Sequence, residues 1–437
     1  MVTGQHGNII RIISSNEGSI PIYFCQNKEI IHFNWDFKEI TSTRQSLILD
    51  FEYLIKSTFE PTYTNRTAFQ GISMLTAGAS CTFSDETCNY KFPNTGKPSY
   101  QNIQNIECDE AAHIFLNLLK KKINLQLSDP NQIAIELSGG LDSSTVAIAS
   151  ALTHPSSKIN TYGVIVSDPL LSESQQNRRN EVIKHIESDD YEIKIMDHLP
   201  SLYSPAQDRY YLNSEAYGDA FDSIWSQAAK NGHHTLFNGC GGDELFPQFL
   251  DEDFSTDRLR SVSDDSWSLY NQILMSRLTP KVQDILGSYL PLCSPKTNVD
   301  TGLMLAMARR APLLLRFNLI PMYPLRDNKI IEFCNTLPLN LRLNKTLLTN
   351  LISNTTHSRL FSNYPKETFM HADETALLAQ KKLLLNTCNK FKIIEIGLID
   401  KKNLVRDLES INIKTPRYIF DYLLNILSIE RFLKAYL

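Results

Sequence analysis

The eight cysteines of this 437-residue chain form no CxxC pair and no zinc-ligand spacing. Scattered thiols of this kind suit a reducing compartment, so neither a disulfide framework nor a structural zinc is expected, and a cytoplasmic location is. No apolar run reaches the length of a membrane span. Residues 302–325 come nearest, and Arg309, Arg310 and Arg316 interrupt them. The start of the chain does not read as a signal peptide. There is no basic excess either: the net charge of −5 gives no reason to expect nucleic acid or an anionic membrane as a partner. Internal repeats, low-complexity linkers and the GxxxxGK[ST] phosphate loop are also missing. What remains is ordinary globular composition, with 42% hydrophobic and 21% charged residues, in a chain long enough for two or three domains.

The most informative stretch is Ile133 to Ser150, IAIELSGGLDSSTVAIAS. Ile133–Leu137 reads as a short buried parallel strand, and Thr145–Leu152 as a helix of small and apolar residues. Between them lies Ser138-Gly139-Gly140-Leu141-Asp142-Ser143-Ser144. Strand, glycine-rich turn and helix together make an anion site. The glycines let backbone approach a ligand, the first helical turn offers N–H groups, and the serines add hydroxyls. Asp142 is out of place beside phosphate unless a divalent cation bridges the two, and Mg²⁺ favours one or two carboxylates together with phosphate oxygens.

A second stretch repeats the arrangement. Thr235–Phe237 is a strand, followed by Asn238-Gly239-Cys240-Gly241-Gly242-Asp243-Glu244. Three glycines so close together imply another near approach of backbone to ligand, and Asp243 offers a second carboxylate to the same metal. Cys240 reads as a small packing residue, since nothing nearby marks its thiol as activated.

Strand and helix patterns alternate through this part of the chain. A helix is expected over Asp109–Leu127, strands over Asn160–Val166 and Tyr191–Met196, and a helix over Ser172–Ile186. The expected fold is α/β, a parallel sheet with helices on both faces, whose ligands sit at the carboxyl ends of the strands. Residues 261–321 read as helical and as the lining of an acceptor pocket. Residues 1–104 read as a separate, smaller, β-rich domain, with strands over Ile9–Ile13, Ile20–Cys25, Glu29–Asn34 and Ser80–Phe83 and a helix over Ser46–Thr58. Residues 105–437 form the second domain.

SGGLDSS resembles the pyrophosphate loop of the ATP-pyrophosphatase superfamily, whose members cleave ATP to AMP and pyrophosphate. With the later loop ending in Gly-Asp-Glu-Leu-Phe, the chain from about residue 105 onward resembles the synthetase domain of asparagine synthetases and their relatives. Tyr323-Pro324-Leu325-Arg326-Asp327, the following Ile330-Ile331-Glu332-Phe333 and Leu337-Pro338, and the closing Leu427–Leu433 extend the likeness. Asn344-Lys345-Thr346-Leu347-Leu348 is similar to a segment whose lysine touches phosphates, and Pro365-Lys366-Glu367-Thr368-Phe369 to one whose lysine reaches the reacting carbonyl.

The resemblance implies ATP and Mg²⁺ as cofactors. It places nucleotide on Leu137, Ser138, Gly139, Gly140, Leu141, Asp142, Ser143, Ser144, Val164, Asn238, Gly239, Gly241, Gly242 and Lys345. It assigns metal to Asp142 and Asp243 and catalysis to Lys366, Asp142 and Asp243. The activity implied is an AMP-forming carbon–nitrogen ligase that adenylates a carboxylate and couples it to an amine.

Two departures from the pattern narrow this. Asparagine synthetases carry glutamate at the position of Cys240, which argues against free ammonia as nucleophile. The Phe69-Gln70-Gly71-Ile72 stretch resembles part of a class II glutamine amidotransferase, but Val2 stands where that enzyme exposes its nucleophilic cysteine, Cys25 falls inside a strand, and opening strands have no counterpart. A truncated domain without glutaminase activity is expected. The wording of Tyr323–Asp327 and the pair Gly241-Gly242 look most like the lasso peptide cyclases. That reading implies a peptide substrate, an isopeptide bond between its N-terminus and an Asp or Glu side chain, a partner protease and a precursor-peptide recognition protein, all in antibiotic biosynthesis. An ammonia-dependent asparagine synthetase, a β-lactam-synthetase-type small-molecule ligase and a catalytically inactive binding homologue are the alternatives.

Overall fold

The computed structural model describes residues 2–6, 9–27, 30–59, 61–84, 87–93, 105–126, 133–204, 207–212, 217–246, 264–287, 295, 301–362 and 364–437. Strands β1 (Val2–His6), β2 (Ile9–Ile13), β6 (Ser80–Ser84) and β7 (Thr87–Lys91) form one antiparallel sheet in the order β1-β2-β6-β7. Strands β3 (Ile22–Asn27), β4 (Ile30–Asn34) and β5 (Ile72–Leu75) form a second in the order β4-β3-β5. Ile12, Phe24, Leu75, Cys81 and Phe83 fill the space between the two sheets, the packing of a β-sandwich.

The outer face of the three-stranded sheet, with Tyr23, Cys25, Ile72 and Met74, joins a core cluster that extends to the C-terminal helix Arg417–Tyr436. Phe69 lies 5.8 Å from Phe432, and Phe37 lies 6.1 Å from Tyr436, ring centre to ring centre. Asp36 accepts from Tyr211 Oη at 2.8 Å and pairs with Arg316 at 3.0 Å. The N-terminal sandwich and the rest of the chain therefore share one interior.

The central sheet is five-stranded and wholly parallel. Strands β8 (Ile133–Glu136), β9 (Asn160–Ile165), β10 (Asp189–Lys194), β11 (Thr235–Phe237) and β12 (Ile320–Met322) run in the order β10-β9-β8-β11-β12. Helices cover both faces. Ile133 and Ile135 pack with the helices Cys108–Gln126, Leu141–Thr153 and Thr346–Thr356. Ala134 points the other way, with Tyr162, Val164 and Leu236, onto the helix Gly218–Lys230. β10 is one of the two edge strands, and its exposed acids and lysine suit an edge that must not pair further.

Several elements differ from the sequence pattern, each for a local reason. The helix expected over Ser46–Thr58 runs over Phe51–Phe59, because Leu49 bridges to Phe69 and Asp50 accepts from Tyr53 N–H at 3.1 Å. β3 begins at Ile22 rather than Ile20, since Pro21 has no N–H for the ladder. The helix after β9 starts at Pro169, one turn early, with Asp168 capping Leu170 and Leu171 N–H at 3.0 Å. β10 spans Asp189–Lys194 rather than Tyr191–Met196, in register with β9 from Asn160, and Ile195–His198 coils into a 3₁₀ turn. β12 falls at the end of a stretch read as helical. Of that stretch, residues 261–263, 288–294 and 296–300 lie outside the described ones.

Candidate active site

β8 and β11 are neighbours, paired from Thr235 opposite Ile133, so the loops at their carboxyl ends emerge side by side. In the first loop Gly139 has φ +86°, a backbone region that favours glycine, and a Cβ there would lie 3.0 Å from Gln175 O. Ser143 Oγ accepts from Ser138 N–H at 3.1 Å and lies 2.9 Å from Ser138 Oγ, which accepts from Gly140 N–H at 3.2 Å. Gly140 begins the helix Leu141–Thr153 without a side-chain cap, and the first turn faces the cavity.

The second loop is pressed against the first. A Cβ on Gly239 would lie 2.6 Å from Ser143 N and 2.8 Å from the carbonyl carbon of Asp142. One on Gly242 would lie 2.7 Å from Asp142 Cβ and nearer still to its carboxylate. Gly241, at φ +104°, turns the chain between them. These two close approaches bring Asp142 and Asp243 together.

Lys345 Nζ stands between the two acids, 2.5 Å from Asp142 Oδ2 and 2.6 Å from Asp243 Oδ1. It is carried on an unusual backbone: Asn344 and Lys345 are both left-handed, at φ 55° and 54°, a strained pair for non-glycine residues. Asn tolerates that region better than most residues. Lys366 is exposed and reaches Asp243 Oδ2 at 3.4 Å.

Burial pushes the Asp142 carboxyl up, against the pull of Lys345. Burial also acts to raise Asp243, but Lys345 and then Lys366 outweigh it and hold that carboxyl below its ordinary value. Lys345 loses stability as a cation through burial, yet the two carboxylates more than compensate and its ammonium is held above the usual lysine range.

These groups line one cavity of about 950 Å³, near the upper end for ligand pockets. Of the residues assigned to nucleotide from sequence, Leu137, Ser138, Gly140, Leu141, Asp142, Ser143, Val164, Asn238, Gly239 and Lys345 line it, together with Asp243 and Lys366. Gly139, Gly241 and Gly242, also assigned to nucleotide, do not line it. Ser144 is turned inward: its hydroxyl is buried without a hydrogen-bond partner, and its N–H bonds Gly140 O at 3.1 Å. Cys240 also lines the cavity, its thiol pushed up to about 12 by burial, so it is neutral there.

The residues present fit a magnesium–phosphate complex. Asp142 Oδ1 is buried with no hydrogen-bond partner, an acceptor that a bound cation would satisfy. Among the described residues no three His, Cys, Asp or Glu side chains converge as an all-protein cage. Two carboxylates beside a phosphate-binding turn are what Mg²⁺ requires when the remaining ligands come from nucleotide and water.

Sequence reading missed several structural members. Gln175 Nε2 donates to Ser138 O at 2.8 Å and Val164 O at 3.1 Å, stitching the ends of β8 and β9. Arg179, fully buried, donates to Leu137 O and pairs with Asp190 at 2.6 Å, passing where only Gly163 leaves room. Glu136 and Arg310 form an ion pair of 2.7 Å in the cavity wall. The polar helix Pro169–Ile186 gave one signal, an Arg-Arg pair in a segment with little apolar periodicity.

The carboxyl-end loops of a parallel α/β sheet thus bring two acids to one cavity, where Lys345 and Lys366 reach them from later segments, an arrangement that could hold a phosphorylated ligand. Comparison adds a likeness: residues 115–290 match the family model for asparagine synthase. This supports placement in the asparagine synthetase superfamily and an ATP-using synthetase. No curated protein matches the chain. Among solved structures it is similar to the U34-tRNA thiolase NcsA from Methanococcus maripaludis with its 4Fe-4S cluster. The identity is 14% and the TM-score 0.30, over 74% of this chain and 88% of that one.

Proposed function

We propose that the protein is an ATP-dependent, AMP-forming ligase that adenylates a carboxylate and joins it to an amine, and that its substrate is a peptide closed into a lasso-type ring. The observation that carries the reading is the convergence of Asp142, Asp243 and Lys345 at the ends of β8 and β11. That arrangement suits a triphosphate bridged by Mg²⁺, with nucleotide along Leu137, Ser138–Ser143 and Val164.

Bound Mg²⁺ supplies charge neutralisation on the phosphates and orients them for displacement. Asp142 and Asp243 would hold it. Lys345, poised between those acids at the cavity, would pair with the phosphates. The N–H groups of the helix Leu141–Thr153 and the Ser138 and Ser143 hydroxyls steady the charge that builds there. The substrate carboxylate attacks the α-phosphorus, and pyrophosphate leaves. The amine then adds to the activated carbonyl and gives up a proton to solvent, the bond from that carbon to the AMP oxygen breaks, and Lys366 balances the charge on the carbonyl oxygen and phosphate. Positioning does most of the work.

Cys240 supports an amine other than free ammonia. A neutral, half-buried thiol stands where asparagine synthetases carry glutamate. The lasso reading also brings the peptide's own N-terminus as the amine, with a protease and a precursor-recognition protein as partners.

The test is product analysis with purified protein, ATP, Mg²⁺ and an acceptor panel. The panel holds peptides with a free N-terminus and an internal Asp or Glu, aspartate with ammonia, and small amino acids. AMP and pyrophosphate in equal amounts, with a peptide smaller by one water, are expected. ADP and phosphate would refute adenylation. Turnover with aspartate and ammonia alone would replace the peptide reading by asparagine synthesis.

A further inference from the structure

Lys366 raises a question of placement. It sits on residues 364–368, which have no helix or strand, and its side chain is 62% exposed with one weak contact to Asp243. A lysine so free has many rotamers, and its reach is set by where the backbone beneath it is held. The side chains on either side of it, Tyr364 and Glu367, are held by Arg178, which the ligase mechanism does not use.

Arg178 lies on the helix Pro169–Ile186 and is 1% exposed. Its Nε donates to Gly139 O at 2.8 Å, in the middle of the first glycine loop, and one terminal nitrogen donates to Ser174 Oγ at 2.7 Å. The other terminal nitrogen pairs with Glu367, the residue after Lys366. Its guanidinium lies 3.8 Å from the ring centre of Tyr364, whose hydroxyl accepts from Leu141 N–H at 3.2 Å. One buried cation thus grips the loop that would carry phosphate and, on its other side, the segment that carries Lys366. Phe369 pins the far end of that segment against Tyr217, ring centres 4.4 Å apart.

We propose that Arg178 is a positioning residue for the ligase reaction: through Glu367 and Tyr364 it sets Lys366 over the carbonyl to be attacked, in register with the nucleotide loop. The proposal rests on the adenylating-ligase reading above. Its physical basis is the rigidity of a planar guanidinium, which makes several directed contacts at once and loses little entropy in doing so. A buried arginine whose carboxylate is removed would also have to rearrange, so the segment does not stay in place without Glu367. The shape of the interaction matters as much as the charge. Lysine at position 178 would lack both the forked geometry and the flat face stacked on Tyr364.

The experiment uses the full chain with Arg178→Gln, Arg178→Lys and Glu367→Gln, in two arms. In the first, amide hydrogen exchange without ligand should speed up at least tenfold over residues 364–369 in all three variants. The body of the helix beyond its first turn, Val146–Thr153, and strand β8 should be unchanged. In the second, the KM for ATP should stay within threefold while kcat for amide formation falls at least tenfold. Adding Lys366→Ala to Glu367→Gln should cost little beyond Lys366→Ala alone, because both act on the same group. Unchanged exchange over 364–369 in folded variants overturns the proposal, and so does a loss confined to ATP binding or additive behaviour of the double variant. Glu367→Gln keeps the side chain's shape and serves if Arg178→Gln fails to fold. If wild-type protein releases no AMP or pyrophosphate, the ligase reading fails in the second arm, while the exchange arm still reports whether Arg178 holds the segment.

Discussion

Gly242→Ala is the substitution by which the geometry of the two loops can be judged. Glycine 242 has no left-handed backbone to lose, so alanine meets no conformational strain there. It is also the first residue of the short helix Gly242–Leu245, where alanine's intrinsic preference should stabilise by about 1 kcal/mol. Against this stands the new methyl, 2.7 Å from Asp142 Cβ and nearer still to its carboxylate, where ordinary contact begins near 3.4 Å. The loop cannot back away freely, since Gly239 already touches the backbone of Asp142 and Ser143. Asp142 must therefore move, and overpacking of this kind costs about 1–3 kcal/mol. The net stability change should be a loss of about 1 kcal/mol. The functional change should be far larger, because a displacement near 1 Å at a reacting centre costs about a hundredfold in rate. Pyrophosphate release under saturating ATP, with chemical denaturation alongside, reads both. A variant more stable than wild type that turns over at a normal rate would refute the close approach of the two loops.

Other consequences can be tested on the same preparation. Lys345→Ala leaves Asp142 and Asp243 facing each other without their shared cation. Stability should fall by about 3 kcal/mol, the low end for breaking a buried pair because Asp243 is half-exposed, and Mg²⁺ should restore part of it in a thermal melt. No Mg²⁺-dependent rescue would count against the shared metal site. Lys366→Ala should bind ATP as wild type does by calorimetry yet form amide product only at a small residual rate, and normal product formation would remove it from the mechanism. Asp222 gives a pH prediction. Burial, with Asp208 and Asp219 nearby, raises its carboxyl to about 7. A folded-state acid raised above its unfolded value costs nothing below about pH 4, and the cost grows as pH rises to about 7. At about 1.4 kcal/mol per unit over about three units, the full cost is at most about 4 kcal/mol. Asp222→Asn should thus stabilise the protein more at pH 8 than at pH 5 in urea denaturation, and equal effects at both would contradict the assignment.

The parts of the site visible in the sequence were those where chemistry and chain geometry coincide. Gly139, Gly241 and Gly242 are needed for turning or for close approach, and Asp142 and Asp243 stand beside them, so a short string reveals both loops. Lys345 was visible only by resemblance, and its strained backbone explains why asparagine precedes it. The parallel sheet followed from alternating patterns, but β12 did not: three residues, one of them proline, at the end of a helical stretch leave no period to read. Gln175, Arg178 and Arg179 were hidden for another reason. They face inward from the polar middle of a helix whose apolar residues gather at its two ends, and their partners are carbonyls and carboxylates brought near only by folding. The sandwich at the N-terminus was legible as β-rich. That its outer sheet would merge with the core around Phe432 and Tyr436 was not, because apolar periodicity marks a buried face without naming what buries it.

The most direct test of attack by a carboxylate on the α-phosphorus is oxygen transfer. The acceptor's reactive carboxyl group is labelled with ¹⁸O, and AMP, pyrophosphate and any phosphate are analysed by mass spectrometry after turnover. One labelled oxygen in AMP and none in pyrophosphate is the expected result, abolished in Asp142→Asn and Asp243→Asn. Label in inorganic phosphate, or unlabelled AMP at full turnover, would contradict it.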